Sequence, residues 1–240
     1  MLSSFVDPRR CLHEPRDTPT SNRLSRHHSW IGSRLSKLSR KLTIRDEIAA
    51  LKRERTIEAA VELFYERGYE NTTLEAVAER LEVSKPFIYV HFNSKMELLA
   101  EICSRAIASS LDVIKQVCRL DLSATDKLAL FGERFVIAVL QSQKHFAIFT
   151  REEKNLLAGD FARISNMRRE FDAKLRELLN EGMSAGEFKI KDAGLAALAI
   201  GGMVSWAYVW YRPGGRLSLE ELAREMSSLI MSLAGATRGD

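Results

Sequence analysis

A chain of 240 residues has room for one large domain or two modest ones, and a 45% hydrophobic share supplies a sizeable core. Its three cysteines, Cys11, Cys103 and Cys118, lack paired spacing, which excludes a disulfide scaffold and suits a reducing, cytoplasmic setting. The formal net charge of +4 hides an asymmetry: residues 1–45 hold ten Lys or Arg against three acids (+7), leaving 26 against 29 (−3) elsewhere, so polyanion contacts there need local patches.

Residues 1–44, rich in Arg, Ser, Pro and His, are expected to form a basic, disordered arm. Within it Ile31, Leu35, Leu38 and Leu42 recur at helical spacing, so a short amphipathic helix is the alternative. Cys11 with His13, His27 and His28 matches no zinc spacing, and neither metal nor cofactor is expected. A helix is predicted from residue 46 to about 67, with Ile57, Ala60, Val61 and Phe64 as its stripe and Gly68 at its stop. Thr72 with Glu75 fits a capping box opening a short helix over 73–81, whose inner face is Leu74, Val77, Ala78 and Leu81. Ser84 is the expected cap of the next helix, 84–92, with Pro86 in its first turn. Ser94 with Glu97 forms a second box before a long helix reaching about 118. Amphipathic helices follow near 125–141, 144–157, 160–182, 192–211 and 218–234, and GMSAGEF and YRPGGRLS read as turns. The chain is therefore read as all-α: a three-helix domain over 45–98, joined to a helical domain over 99–240.

Two short helices joined by a tight turn, flanked by longer ones, make a helix-turn-helix plan. In the second, Ile88 and Phe92 lie one turn apart and point toward Val77, Ala78, Leu81 and Val83. The other face then carries Lys85, Pro86, Phe87, Val90 and His91, with Tyr89 at the flank. Lysine can donate to guanine O6 or N7, and proline or valine can touch a thymine methyl. Tyr89, His91 and Thr73 can donate to phosphate, and Lys95 sits in a first helical turn, where free N–H groups already attract anions.

Residues 56–102, with the phrases AAVELFYERGY, TTLEAVAERL, VSKPFIYVHF and SKMELL, resemble the DNA-binding domain of the tetracycline-repressor (TetR/AcrR) family. The resemblance implies a transcriptional regulator, a repressor of a palindromic double-stranded DNA operator. Thr73, Tyr89, His91 and Lys95 then look like phosphate contacts, and Lys85, Pro86, Phe87 and Val90 like base-facing positions. Glu82 stands where the family usually has a turn glycine, and a left-handed conformation would cost it about 1 kcal/mol. Phe87 replaces a residue usually small or hydroxylated. It either covers a thymine methyl or folds back against the protein.

Family members are homodimers with a C-terminal effector domain. In LSLEELAREMSSLIMSLAG the stripe Leu222, Met226, Leu229, Ile230 and Leu233 fits association, as do Gly201 and Gly202 in an apolar helix, where another backbone or a ligand can approach closely. A core pair within one subunit is the alternative. Phe135, Phe149 and Trp206 are candidate effector-binding aromatics. The stretches MRREFDAKLRELLNEGMSAGEF and GGMVSWAYVWYRPGGRLSLEEL resemble the ligand domains of acyl-CoA-responsive members acting in lipid, sterol or aromatic-acid catabolism. Arg168 and Arg169 would then face the thioester's phosphates. A hydrophobic drug-like effector is the alternative. A CoA-thioester enzyme is a further one, although no nucleophile, base and orienter fall together. Residues 193–211 hold no charge and just reach the length of a membrane span, but a buried helix is expected there and no membrane partner.

Overall fold

Each helix of the computed structural model begins and ends where the local chemistry directs. The structure describes residues 25–236, with side chains from residue 43 onward. The arm up to residue 24, with Cys11 and His13, lies outside the described residues, as do the side chains of His27 and His28. Helix α1 spans Ser25–Arg67, so helical backbone begins well before residue 46. The recurring apolar residues of 31–42 are the sequence signal for that earlier start.

Residues 1–50 and 51–240 separate into two compact units. In the first, every side chain over residues 43–50 is exposed, Ile44 and Ile48 included. The second holds everything described below.

Gly68, at φ +82°, ends α1 in the left-handed conformation that glycine adopts without strain. Helix α2 (Leu74–Arg80) is capped by Thr73, whose Oγ1 accepts from the Ala76 amide at 3.1 Å. The expected cap, Thr72, is instead fully buried and donates to the Gly68 carbonyl at 2.9 Å, tying the loop to the end of α1. Helix α3 (Lys85–Tyr89) is shorter than the nine residues expected. Ser84 takes the cap's extended backbone but makes no side-chain bond: Pro86 has no N–H to give, and the Phe87 amide donates to the Ser84 carbonyl at 2.9 Å. Helix α4 (Lys95–Cys118) starts at Ser94, whose Oγ accepts from the Glu97 amide at 3.1 Å, while Glu97 accepts from the Asn93 amide at 2.8 Å.

The remaining helices are α5 (Ala124–Gln141), α6 (Gln143–Glu152), α7 (Ala158–Ser184), α8 (Ala193–Ser205), α9 (Ala207–Trp210) and α10 (Leu219–Ala234). Residues 192–211, expected as one helix, divide at Trp206. Among the described residues there is no strand. One hydrophobic cluster runs without interruption from Ile57 to Ala234. Helix α4 is the reason: its first turns bury Leu98, Leu99 and Ile102, and its later turns bury Leu111, Ile114 and Val117.

Helices α5 and α10 pack together most closely. A Cβ on Gly132 would stand 2.8 Å from Ser227 Oγ and 3.1 Å from Ser227 Cα, so only glycine lets the two backbones approach. Ser227 uses the approach to donate to the Ala129 carbonyl at 2.8 Å. On α10, Leu222, Met226 and Ile230 are buried in this core. Within one chain that side of the expected stripe is taken up by α5, as in the alternative of a core pair. Leu229 and Leu233, on the neighbouring side of the helix, stay 57% and 37% exposed.

Candidate nucleic-acid interface and effector cavity

The short helix α3 is braced from behind. Ile88 and Phe92 are fully buried against Val77 and Ala78 of α2, and the Arg53 guanidinium lies 4.8 Å from the Phe92 ring centre. The α2–α3 turn closes through Glu82 at φ +56°, the left-handed geometry expected there, and the Val83 amide donates to the Ala78 carbonyl at 3.0 Å. Fixing the back of α3 fixes what its front displays.

On that front Lys85 and Pro86 are exposed, Tyr89 is 42% exposed and Val90 is 78% exposed. An apolar side chain as open as Val90 gains little from folding and is free to make an outside contact. Lys85 is ion-paired with Glu75 and lies 5.8 Å from the Tyr89 ring centre. Both partners of this pair are in solvent, so it is weak enough to exchange for a base or a phosphate. Thr73 is exposed, its hydroxyl accepting the capping bond while its hydrogen can turn to the Glu75 carboxylate beside it or to solvent.

Two residues are arranged differently from expectation. Phe87 is half-buried, meets His91 edge-on at 5.9 Å and has the Lys52 ammonium 5.4 Å from its ring centre. The structure thus favours the folded-back alternative, since the larger ring finds a cation and an aromatic edge there. Lys95 is half-buried, donates to the Tyr69 carbonyl at 2.8 Å and lies 4.2 Å above the Tyr69 ring. Its ammonium fastens α4 to the start of the α1–α2 loop, so part of its three-donor capacity is already engaged there. His91 is pushed below its ordinary pKa by burial and by the positive charges of Lys52 and Arg53. At neutral pH it is an uncharged imidazole with one N–H to donate.

A cavity of about 300 Å³ lies in the helical bundle. Its walls come from five helices: Ile107 and Ser110 of α4, Phe135 of α5, Phe146 of α6, Arg168, Phe171 and Asp172 of α7, and Leu198, Gly201, Gly202 and Ser205 of α8. Phe135 and Phe171 are tilted against each other at 5.0 Å, and Phe135 stacks on Phe131 at 5.2 Å. Of the five residues expected to bind effector, Phe135 and Arg168 line it. Phe149 is buried beneath Arg168, whose guanidinium is 5.8 Å from the ring, so it supports the wall from behind. Arg169 points elsewhere and donates to Asn166 at 3.2 Å. Trp206 is 60% exposed and meets Tyr208 edge-on, one residue beyond the lining Ser205.

Gly201 and Gly202, expected at a subunit interface, are part of this cavity wall. A Cβ on Gly202 would meet nothing within 4 Å, and one on Gly201 only the Phe171 ring at 4.0 Å. These glycines keep that part of the cavity open, which fits the close approach of a ligand, the other expectation for the pair. Helix α8 is also not buried all round, because Leu195 is 66% exposed and Leu198 is 63% exposed. By length and composition alone, Ala193–Trp210 is apolar enough to cross a membrane.

The cavity and helix α1 share two structural connections. Helix α4 carries Ile107 and Ser110 to the cavity and Glu101 to Arg53 of α1, at 3.0 Å. Arg105, one turn on, bonds both Glu101 at 2.9 Å and Glu54 at 2.6 Å. Chiefly the hydrogen bond from Arg53 holds the Glu101 carboxyl down at about 2. Helix α6 carries Phe146 to the cavity, while its Lys144 pairs with Glu62 and its Arg151 lies 5.3 Å over Tyr65, both on α1.

Residues 57–102 match the family described as bacterial regulatory proteins, tetR family, and residues 121–234 match the tetracyclin repressor-like C-terminal domain. The chain belongs to the tetR family. It is 26% identical over 182 residues to the HTH-type transcriptional repressor KstR2 of Rhodococcus jostii (strain RHA1), covering 75% of this chain and 89% of that one. Among solved structures it is similar to the TetR family transcriptional regulator PfmR from Thermus thermophilus, at 29% identity and a TM-score of 0.68, covering 77% of this chain and all of that one. AibR, solved in complex with isovaleryl coenzyme A and operator DNA, shares the fold at a TM-score of 0.66 and 23% identity, over 78% of this chain and all of that one. These tetR-family relatives are transcriptional regulators and not enzymes, so the thioester-enzyme alternative is set aside.

Proposed function

We propose that this tetR-family regulator is a homodimeric, cytoplasmic repressor that leaves a palindromic operator when a small acyl thioester enters its C-terminal cavity. The outer face of α3 carries the reading: Lys85, Tyr89 and Val90 stand in solvent on a helix whose other side is fully buried. Residues 45–98 act as the DNA-binding domain and 99–240 as the effector and dimerisation domain. Lys85, Pro86 and Val90 face bases; Thr73, Tyr89 and His91 face phosphates; Lys95 contributes mainly by holding α4 in place.

Pairing is supported by the apolar side chains that the chain leaves uncovered, Leu195 and Leu198 on α8 and Leu229 and Leu233 on α10. Two copies would set two α3 helices about 34–36 Å apart, one turn of DNA. A cavity of about 300 Å³ is at the small end for ligand sites, so it suits an acyl group while the nucleotide part remains outside. Arg168, exposed at the rim, is placed to meet its phosphates. Occupancy would press on α4 and α6 together, and both are tied to α1 by ion pairs. An effector favouring the non-binding form by ~100-fold supplies about 2.7 kcal/mol to the switch.

The direct test is fluorescence anisotropy on operator DNA with a series of acyl-CoA thioesters, alongside light-scattering mass. The expected result is a doubled mass and release by short or branched acyl-CoA. A monomer that binds DNA regardless of every thioester would refute the effector reading.

A further inference from the structure

The cavity has an apolar lining with one anomaly at its buried end. Ser110 is 5% exposed, lines the cavity, and its hydroxyl is without a hydrogen-bond partner among the described residues. A serine or threonine inside a helix normally returns its hydroxyl to a carbonyl of the preceding turn. Other hydroxyls within these helices find a partner: Thr56 donates to the Lys52 carbonyl at 3.0 Å, Thr150 to Phe146 at 2.9 Å and Ser232 to Ser228 at 2.9 Å, while Ser227 reaches across to Ala129. Ser110 does not. A buried hydroxyl left unmet opposes folding, so it implies a partner that arrives later.

We propose that the effector carries a hydrogen-bonding oxygen on its buried part, a hydroxyl or carbonyl that Ser110 receives. The proposal rests on the cavity being the effector site and narrows its ligand from acyl groups in general to oxygenated ones. The polar lining grades from the exposed Arg168 at the rim, through the half-buried Asp172, to the buried Ser110. Between them Ile107, Phe135, Phe146 and Phe171 offer only hydrocarbon. A ligand with an anionic outer part, an apolar body and one inner oxygen satisfies this sequence of environments. A plain alkyl chain fills the same space and leaves Ser110 unmet. Sites built around a hydrogen bond reject the analogue lacking it, because their own polar group is then left without a partner.

A pair of near-isosteric probes, 4-ethylphenol and 4-ethyltoluene, isolates this contact from any coenzyme A contribution. Titration calorimetry on the full chain should show the phenol binding ~10-fold more tightly, the effect of one hydrogen bond. Ser110→Ala should abolish that preference and leave the toluene's affinity and the melting temperature at or above parental values. Equal affinities in the parent, or a preference that survives in Ser110→Ala, would overturn the proposal while leaving the cavity reading intact. Gly202→Phe, which projects a ring into the open space, should lose both probes. Binding of both to that variant, or of neither to the parent, would overturn the cavity reading itself and this proposal with it.

Discussion

The exposed side of α3, proposed to meet DNA, and the walls of the cavity make opposite uses of one scaffold. On α3 the functional side chains are adjacent in sequence, exposed, and held from behind by Ile88 and Phe92. In the cavity they come from five helices, and the space exists because Gly201 and Gly202 bring no side chains. A surface site tolerates substitution for folding and punishes it for binding. A cavity site couples the two.

That contrast can be broken most forcefully at Val90. Val90→Glu places a negative charge at a DNA-facing surface, where like-charge contact costs several kcal/mol, so operator affinity should fall roughly 100-fold or more. Its melting curve should match the parent, because Val90 is 78% exposed. A large fall in melting temperature would mean that α3 is packed differently. Gly132→Val is the opposite experiment. Inserting bulk where a Cβ alone would stand 2.8 Å from Ser227 Oγ should cost about 1–3 kcal/mol in chemical denaturation, with DNA affinity unchanged in the protein that remains folded.

Acid sharpens the comparison at the junction. The Glu101 carboxyl, ordinarily near 4.5, is held at about 2 by Arg53 and Arg105. A depressed folded pKa contributes stability above 4.5 that is lost as pH falls toward 2. Urea titrations from pH 5 to pH 2 should show the parent losing more stability than Glu101→Gln across that window. Smaller still is Glu82→Gly. Relieving the φ of +56° should raise stability by at most about 0.5 kcal/mol, since the added freedom of the unfolded chain offsets part of the lost strain. Operator affinity should be unaltered.

The same contrast explains what the sequence discloses. Helix ends are local, so Gly68, Pro86 and Ser94 are all readable, and the structure adds a capping box of Ser218 and Glu221 with both bonds formed. Local rules slip by one residue where tertiary contacts decide: Thr72 looks like a cap by spacing, but burial takes its hydroxyl and Thr73 caps instead. Phe87 and Lys95 face outward by helical position alone, yet Lys52 and the Tyr69 carbonyl, far away in sequence, draw them back. The α10 stripe is legible as apolar, but which side of it meets α5 is not. The cavity is least legible. Ile107, Ser110, Phe146, Phe171 and Asp172 lie on three helices with nothing in their spacing to join them. Phe135, Arg168 and the paired glycines are its readable parts, and the glycines mark open space in the cavity wall.

The most direct test of the central claim is selection of binding sites from randomised duplex DNA, with the parent and with Lys85→Ala in parallel. The parent should enrich an inverted repeat, and the variant should lose base preference at one symmetric pair of positions within the same repeat. No enriched sequence, or an identical motif from both proteins, would show that the outer face of α3 does not read DNA.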